Sequence, residues 1–322
     1  MQLSTSLAPD AASRTLLHTV ARLHYEADLS QIEIARRLSL SAATISRLLR
    51  RARDEGIVHI EVRSPVEPEA LGRELARCLG LRRAAVVEGG EQGVLAALAG
   101  PVGAMLQGAG LLPGSVVAIG WGRAVRAVIE AGLPRIPGAV VVAANGGLQQ
   151  AAPHFQINEF VRLAAEQMGG NPHFIHAPFL PGAASRQAFL EDPMIRDHVA
   201  LWDRIDVAIL GIGLAHAADP GHGRLAVTQD EHALVHAAGD VIRHYYDASG
   251  VLIPWEGESQ LIAISPAQLR AVPLAIGVAV SIAKAPAILG AVRAGLVNAL
   301  VTDARTAQAV LDLAQSQLDA RA

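Results

Sequence analysis

The feature that most constrains this chain is a series of short, near-continuously apolar runs separated by helical patterns, most of it between residues 115 and 302. SVVAIG (115–120), AVVVAAN (139–145), HFIHA (173–177), DVAILGIG (206–213), LIAI (261–264), LAIGVAV (274–280) and LVT (300–302) are each about as long as a strand, and many are rich in Val and Ile. A strand that is apolar on both alternating faces must be covered on both, which is the condition of a parallel sheet wrapped by helices. Helices are expected at 124–131, 157–168, 266–271, 287–294 and 306–318, with a further helix at 69–79 and a short strand at 84–87. This alternation predicts an α/β fold with a doubly wound sheet, whose ligands sit at the carboxyl ends of the strands.

The N-terminal part has a different texture. LSQIEIARRLSLSAATISRLLRRARDEGIVHIEV (29–62) reads as two short helices joined by a tight turn and followed by a strand. Ser30 with Glu33 three residues later forms a capping box, and Ile34, Ala35 and Leu38 line one side of the helix that follows. Ser41 can cap a second helix, in which Ile45, Leu48, Leu49 and Ala52 recur at i, i+3, i+4 and i+7. Its opposite face carries Ala43, Arg47, Arg50, Arg51 and Asp54. A small residue near the start lets such a helix approach a duplex, and the arginines beyond it can reach guanines or phosphates. Six arginines and no acidic residue lie between Arg36 and Arg53. Gly56 ends the helix, and Val58, Ile60 and Val62 alternate with polar residues as a wing strand would. The reading is a winged helix-turn-helix; the alternative is a solvated basic helix in a helical bundle. Gln31, Ser41, Ala43, Thr44, Arg47, Arg50 and Arg51 are the DNA-contact candidates.

Charge follows the same division. Residues 1–64 hold nine Arg against seven Asp and Glu, net +2, and the rest holds 18 basic against 23 acidic residues, net −5. Length suggests about two domains, and the proline-broken SPVEP (64–68) marks the boundary. The expected division is a DNA-binding domain at 1–64, with a flexible arm at 1–12 and a first helix at 14–25 whose inner face is Leu16, Leu17, Val20, Ala21 and His24, and an effector and oligomerisation domain at 65–322. The single cysteine, Cys78, permits no intrachain disulfide. The N-terminus lacks the basic start and apolar stretch of a secretion signal. The longest apolar run, 271–283, is too short for a membrane span. The expected address is the cytoplasm.

Three of the strand ends are glycine-rich. Gly120-Trp121-Gly122-Arg123 opens a helix, Asn145-Gly146-Gly147 follows a strand, and Gly211-Ile212-Gly213 closes another. Glycine lets backbone N–H groups approach an anion, and a helix N-terminus adds its dipole. Any one such loop can be purely structural, whereas three in one sheet suggest a binding crevice; neither a dinucleotide nor a P-loop fingerprint is present. Lys284 is the only lysine, against 26 arginines. Placed between an expected strand and helix, it suits a phosphate or a Schiff base, or it is a chance surface residue. Asp240 and Asp247 are candidates for sugar hydroxyls, or cap turns. His216, His222, His232, His236 and His244 lack a metal-ligand spacing, so no metal and no cofactor is expected. A GxSxG elbow is missing as well.

These segments, with QINEFVRLAAEQMGG, HAPF, GDVIRHYYDASG and IAKAPAILGAVRAGLVNALVTDARTAQAVL, resemble in order the SorC/DeoR-type sugar-binding transcriptional regulators over nearly the whole chain. The resemblance implies an effector domain similar in fold to glucosamine-6-phosphate deaminase and ribose-5-phosphate isomerase, and a dimer or tetramer on palindromic operator DNA. It also implies a sugar, sugar alcohol or sugar phosphate effector. Gly120, Gly122, Arg123, Asn145, Gly146, Gly147, Asp247 and Lys284 fall where the family's ligand loops lie, and Gly211 and Gly213 join them from the strand-end reading. Many members have a hydroxyl residue after the GWG-Arg turn, where this chain has Ala124. The expected function is a regulator of a carbohydrate or polyol catabolic operon. The alternative is a sugar-phosphate isomerase or deaminase with an appended DNA-binding module.

Overall fold

The computed structural model describes residues 9–58, 67–88, 93–148, 156–214 and 233–319. The chain divides into two compact units, Met1–Arg63 and Ser64–Ala322.

In the first unit three helices, α1 (Pro9–Tyr25), α2 (Gln31–Leu38) and α3 (Ala42–Asp54), bury two small apolar clusters. Val20 of α1 packs with Ile34 and Ala35 of α2 and Ile45 and Leu49 of α3, while Leu17 and Ala21 of α1 pack with Ala52 of α3, and half-buried Leu48 lies against both groups. The capping box at Ser30 is formed in both directions: Ser30 N–H donates to Glu33 Oε2 at 2.8 Å, and Glu33 N–H returns to Ser30 Oγ at 3.3 Å. Ser39 ends α2 in the left-handed region, at φ 55°, which turns the chain directly into the Ser41 cap of α3. Four expectations are corrected or left open. Residues 9–12 are helical and so are not part of an arm, while 1–8 lie outside the described residues. Leu16 is exposed, Leu48 is half-buried, and the wing strand beyond Val58 also lies outside the described residues.

In the second unit seven parallel strands form one sheet. They are β1 (Arg83–Val87), β2 (Val116–Ile119), β3 (Val140–Ala143), β4 (Asn171–His173), β5 (Ile205–Gly211), β10 (Leu274–Val278) and β11 (Ala299–Asp303), in the order β1-β11-β10-β5-β2-β3-β4. All residues of β2, β10 and β11 are buried, as their unbroken apolar runs require. The helices of this unit are α4 (Pro68–Leu79), α5 (Val94–Ala97), α6 (Ala99–Gln107), α7 (Arg123–Ala131), α8 (Ile157–Met168), α9 (Ala183–Glu191), α10 (Pro193–Leu201), α11 (Pro266–Ala271), α12 (Ala285–Arg293) and α13 (Ala304–Asp319).

Three expected strands differ. The run 173–177 is not a buried strand: pairing stops at His173, because the Asn158 side-chain amide takes both backbone groups of Ile175, at 3.0 and 2.9 Å. The run 261–264 joins no sheet; it crosses the end of β3 through an antiparallel bridge from Ala263 to Asn145. The run 206–213 splits at Ile212, and the chain enters a second, antiparallel sheet that the sequence reading lacked. Its strands are β6 (Gly213–Leu214), β7 (Gly239–Val241), β8 (His244–Tyr246) and β9 (Leu252–Ile253).

Candidate DNA-binding helix and effector crevice

On α3 the sequence separates buried from exposed side chains as expected. Ser41 Oγ accepts from Thr44 N–H at 3.1 Å and also bonds the Thr44 hydroxyl, fixing the first turn. Ala43, Arg47, Arg50, Arg51 and Asp54 are exposed together, while Gln31 is half-buried at the start of α2. The arginines are not equivalent. Arg51 is paired with Glu55, and Arg53, outside the candidate set, donates to Tyr25 OH at 3.1 Å. Arg47 only leans on its own helix, with Nε 3.4 Å from Ala43 O, and the Arg50 side chain makes no hydrogen bond or ion pair among the described residues. Arg47 and Arg50 can therefore reach a duplex without first breaking an ion pair.

In the sheet the order of strand addition reverses at β2: β3 and β4 are added on one side, β5, β10 and β11 on the other. Ligands of open α/β sheets bind outside the carboxyl ends of the strands at such a point. The ends of β2 and β5 approach closely, leaving no room for a side chain at Gly211. A Cβ at Gly211 would lie 2.7 Å from the Trp121 carbonyl oxygen, and one at Gly120 would lie 3.2 Å from the Leu210 side chain. Gly122 has φ +127° and leads into α7, whose first N–H groups receive no side-chain cap. Arg123 occupies the first turn of α7. This end is thus electropositive from its backbone alone.

Two further candidates lie beside it. Lys284, half-buried just before α12, donates to the Ile212 carbonyl at 2.7 Å and so ties the loop after β10 to the end of β5. Asn145 is fully buried at the end of β3, with Oδ1 unsatisfied among the described residues. Its neighbours are committed elsewhere. Gly146 N–H donates to Ile262 O at 2.8 Å and Gly147 N–H to Ala177 O at 2.9 Å, so neither is free for an anion, contrary to expectation. Gly213 pairs with Asp240 across β6 and β7, where a Cβ would strike the Asp240 carboxylate.

The candidate carboxylates serve the scaffold. Asp247 Oδ1 accepts from the Ser249 hydroxyl, Val251 N–H and Ser249 N–H, which hold its carboxyl below the usual carboxylate range. Asp240 Oδ2 accepts from Arg243 N–H at 2.8 Å. Of the histidines, His244 is buried between Glu258 and the Ile264 carbonyl, and His216, His222 and His232 lie outside the described residues. No group of three potential metal ligands occurs among the described residues.

Sequence reasoning missed two residues of this region. Ser281, at the end of the β10 loop, has φ +132°, where side chains are strained, and its N–H is held by Thr306 Oγ1, itself bonded to Asp303. Arg243, 5% exposed, sits at the β7–β8 turn with φ +63°. A cation inside GDVIRHYY was the visible signal; the left-handed turn beneath it was not, because neither Ile242 nor Arg243 is a turn residue by type.

The geometry agrees with comparisons to known proteins. The Sugar-bind model, which describes a sugar-binding domain, matches residues 64–312, and a winged helix-turn-helix DNA-binding model matches 14–59. The chain belongs to the SorC/DeoR-type family of sugar-binding transcriptional regulators. It is 30% identical over 316 residues to the sorbitol operon regulator of Klebsiella pneumoniae, covering 92% of this chain and 97% of that one. It is 27% identical to the deoxyribonucleoside regulator of Bacillus subtilis (strain 168), covering 94% and 99%. The solved structure of the full-length Klebsiella regulator superposes with a TM-score of 0.70 at 30% identity, over 92% of this chain and 98% of that one. A transcriptional regulator from Streptococcus pneumoniae TIGR4, at 18% identity and a TM-score of 0.68 over 76% and 97%, shares the fold. The SorC-type regulator described here is thus a DNA-binding transcriptional regulator with a sugar-binding domain. None of its described helices is long and apolar enough to cross a membrane.

Proposed function

We propose that this SorC-type protein controls a carbohydrate or polyol catabolic operon, holding operator DNA with residues 1–64 and sensing a sugar, sugar alcohol or sugar phosphate with residues 65–322. The observation that carries this reading is the uncapped start of α7 at the point where the order of the sheet reverses, with Lys284 tied to the neighbouring strand end. Backbone donors and one ammonium suit a polyhydroxylated ligand that bears partial or full negative charge. The Klebsiella relative is named for sorbitol and the Bacillus relative for deoxyribonucleosides, which supports a polyol or a pentose derivative.

The effector contacts we assign are Gly120, Gly122, Arg123, Asn145, Gly211 and Lys284; Gly213 and Asp247 shape the surrounding backbone. The DNA contacts we assign are Ser41, Ala43, Thr44, Arg47 and Arg50, with Gln31 and Arg51 at the margin. A dimer or tetramer in the cytoplasm is the working form, since two recognition helices must meet two half-sites about one DNA turn, or a multiple of it, apart. A non-catalytic role is supported by the commitment of the candidate bases: Asp240, Asp247 and His244 each bind backbone groups of their own scaffold.

A thermal-shift screen of pentoses, hexoses, polyols and their phosphates tests this reading, because a ligand of the native state raises the melting temperature. A hit must also change affinity for oligonucleotides that the protein selects from a random pool. If no carbohydrate shifts the melt, the sensing role is wrong; turnover of a sugar phosphate would replace it with the enzyme reading.

A further inference from the structure

The β7–β8 hairpin carries a buried arginine, Arg243, and is tied to the strand ends on both sides of the crevice. Its turn, Ile242-Arg243, holds both residues at positive φ, 50° and 63°. Two-residue hairpin turns of that kind favour Asn-Gly, and a β-branched residue is rare there. Such outliers persist when the surroundings over-determine them, and they cluster at binding sites. Here the surroundings do so: Arg243 N–H donates to Asp240 at 2.8 Å, and Arg243 C=O accepts from Trp255 Nε1 at 3.0 Å.

The hairpin is tied to both strands that flank β2. On one side Asp240 pairs with Gly213, just beyond the end of β5 and next to the Ile212 carbonyl that Lys284 holds. On the other side His244 Nε2 lies 2.8 Å from Ile264 O, and Ile264 N–H donates to Ala144 O beyond the end of β3. The turn therefore spans from the β5 side to the β3 side of the place where the order reverses, where α7 begins.

Within that turn Arg243 is 5% exposed, and its guanidinium makes one neutral bond, Nη1 to Tyr245 OH at 3.4 Å. It forms no ion pair among the described residues. Burying an unpaired guanidinium is costly, so a buried arginine normally has an anion to meet. The sealed, unpartnered polar atoms among the described residues are Asn145 Oδ1, His198 Nδ1, Tyr246 OH and Thr302 Oγ1. Arg243 is not in that set, and with 5% of its surface exposed the residue is not wholly sealed.

We propose that Arg243 is a specificity-determining effector contact that takes an anionic group of the carbohydrate, a phosphate ester or a carboxylate, in bidentate fashion. This rests on the carbohydrate-sensing reading above and deepens it. A planar five-donor fork matches either anion. It supplies from the hairpin the charge recognition that a hydroxyl at the position of Ala124 would otherwise share.

The test is calorimetric titration of the full-length protein with matched probes: D-glucitol 6-phosphate and D-glucitol, D-ribose 5-phosphate and D-ribose, and D-gluconate. Arg243→Gly removes the guanidinium in a turn that suits glycine, so the hairpin is retained; Arg243→Asn, also tolerant of positive φ, is the second variant should glycine loosen the fold. The expected result is an anionic probe bound at least tenfold more tightly than its neutral counterpart by the native protein, with that preference lost in the variants. Whether a phosphate ester or gluconate is preferred identifies the anion. Equal binding of anionic and neutral probes by the native protein overturns the proposal, and so does a preference undiminished in both variants. If the native protein binds no probe at all, the carbohydrate reading itself fails and the Arg243 assignment goes with it.

Discussion

At the scale of single residues, two positions have consequences that follow from chemistry alone. His198 is buried, with Nε2 3.0 Å from the Ala143 carbonyl, an oxygen that Trp202 Nε1 also reaches at 2.8 Å. A carbonyl only accepts, so Nε2 carries the hydrogen and Nδ1 is a bare nitrogen without a partner among the described residues. Burial pushes the His198 pKa below its ordinary value. The unfolded chain then takes up a proton at a higher pH than the native one does. The stability this residue confers is complete above about pH 6.5 and falls as pH drops toward the folded pKa, by at most about 1.4 kcal/mol per unit. Melting temperatures from pH 8 to pH 5 should fall more steeply for the native protein than for His198→Gln, which keeps a donor to Ala143 but does not titrate; parallel curves would show that His198 protonates as readily in the folded state. Ser281 makes the opposite point. Its backbone at φ +132° is one that glycine adopts without strain, so Ser281→Gly should raise stability by about 1 kcal/mol in a urea titration. A loss of stability would mean that the Ser281 side chain repays its strained backbone.

At the scale of elements, the helix-turn-helix was the most legible part because its signals are local. Ser30 with Glu33, Ser41, and the i, i+3, i+4, i+7 stripe are fixed by neighbours a few residues away, and the structure repeats both caps and buries the stripe at Ile45, Leu49 and Ala52, with Leu48 half-buried. The caps can be weighed separately. Ser41→Ala removes the acceptor for Thr44 N–H and should cost about 1 kcal/mol of stability, whereas Arg47→Ala should leave the melt unchanged and weaken operator binding by roughly 1–3 kcal/mol; anisotropy titrations beside thermal melts separate the two. Equal operator affinity of Arg47→Ala and the native protein would take that side chain off the reading surface. In the α/β unit the central strands were equally readable, since burial on both faces leaves unbroken apolar runs. What periodicity could not resolve was the partner. The run 261–264 is as apolar as a central strand and Leu261, Ile262 and Ile264 do join the main core, yet its backbone bonds go to Ala144, Gly146 and Phe179, outside the sheet strands. The run after His173 loses its ladder to one side chain, that of Asn158. The antiparallel sheet from β6 to β9 has strands of two or three residues, too short for a pattern to form. The crevice was half legible for the same reason. Glycines at strand ends mark close approach, and Gly211 against Trp121 is such a case. Which of their N–H groups remain open depends on distant carbonyls such as Ile262 and Ala177.

At the scale of the whole molecule, sensing requires that a ligand at the second unit alter what the first unit does to DNA. Its effect cannot exceed its difference in affinity between the two arrangements of the protein, however tightly it binds either. Lys284 is suited to supply such a difference, because its ammonium already bonds the Ile212 carbonyl and so joins the β10 loop to the end of β5. An effector that competes for that ammonium loosens one tie while it makes another, and this shifts the balance between arrangements. Lys284→Ala should therefore keep operator affinity within about twofold of the native protein while abolishing its response to the effector. Linkage makes the argument stricter. If the effector changes operator affinity by some factor, saturating operator must change effector affinity by the same factor, on the order of 5- to 150-fold for a coupling of about 1–3 kcal/mol. Titrating effector into the native protein with and without operator, and again into Lys284→Ala, measures both sides of that equality. Should the variant respond undiminished, Lys284 only braces two loops, and the coupling must run through other contacts of the crevice.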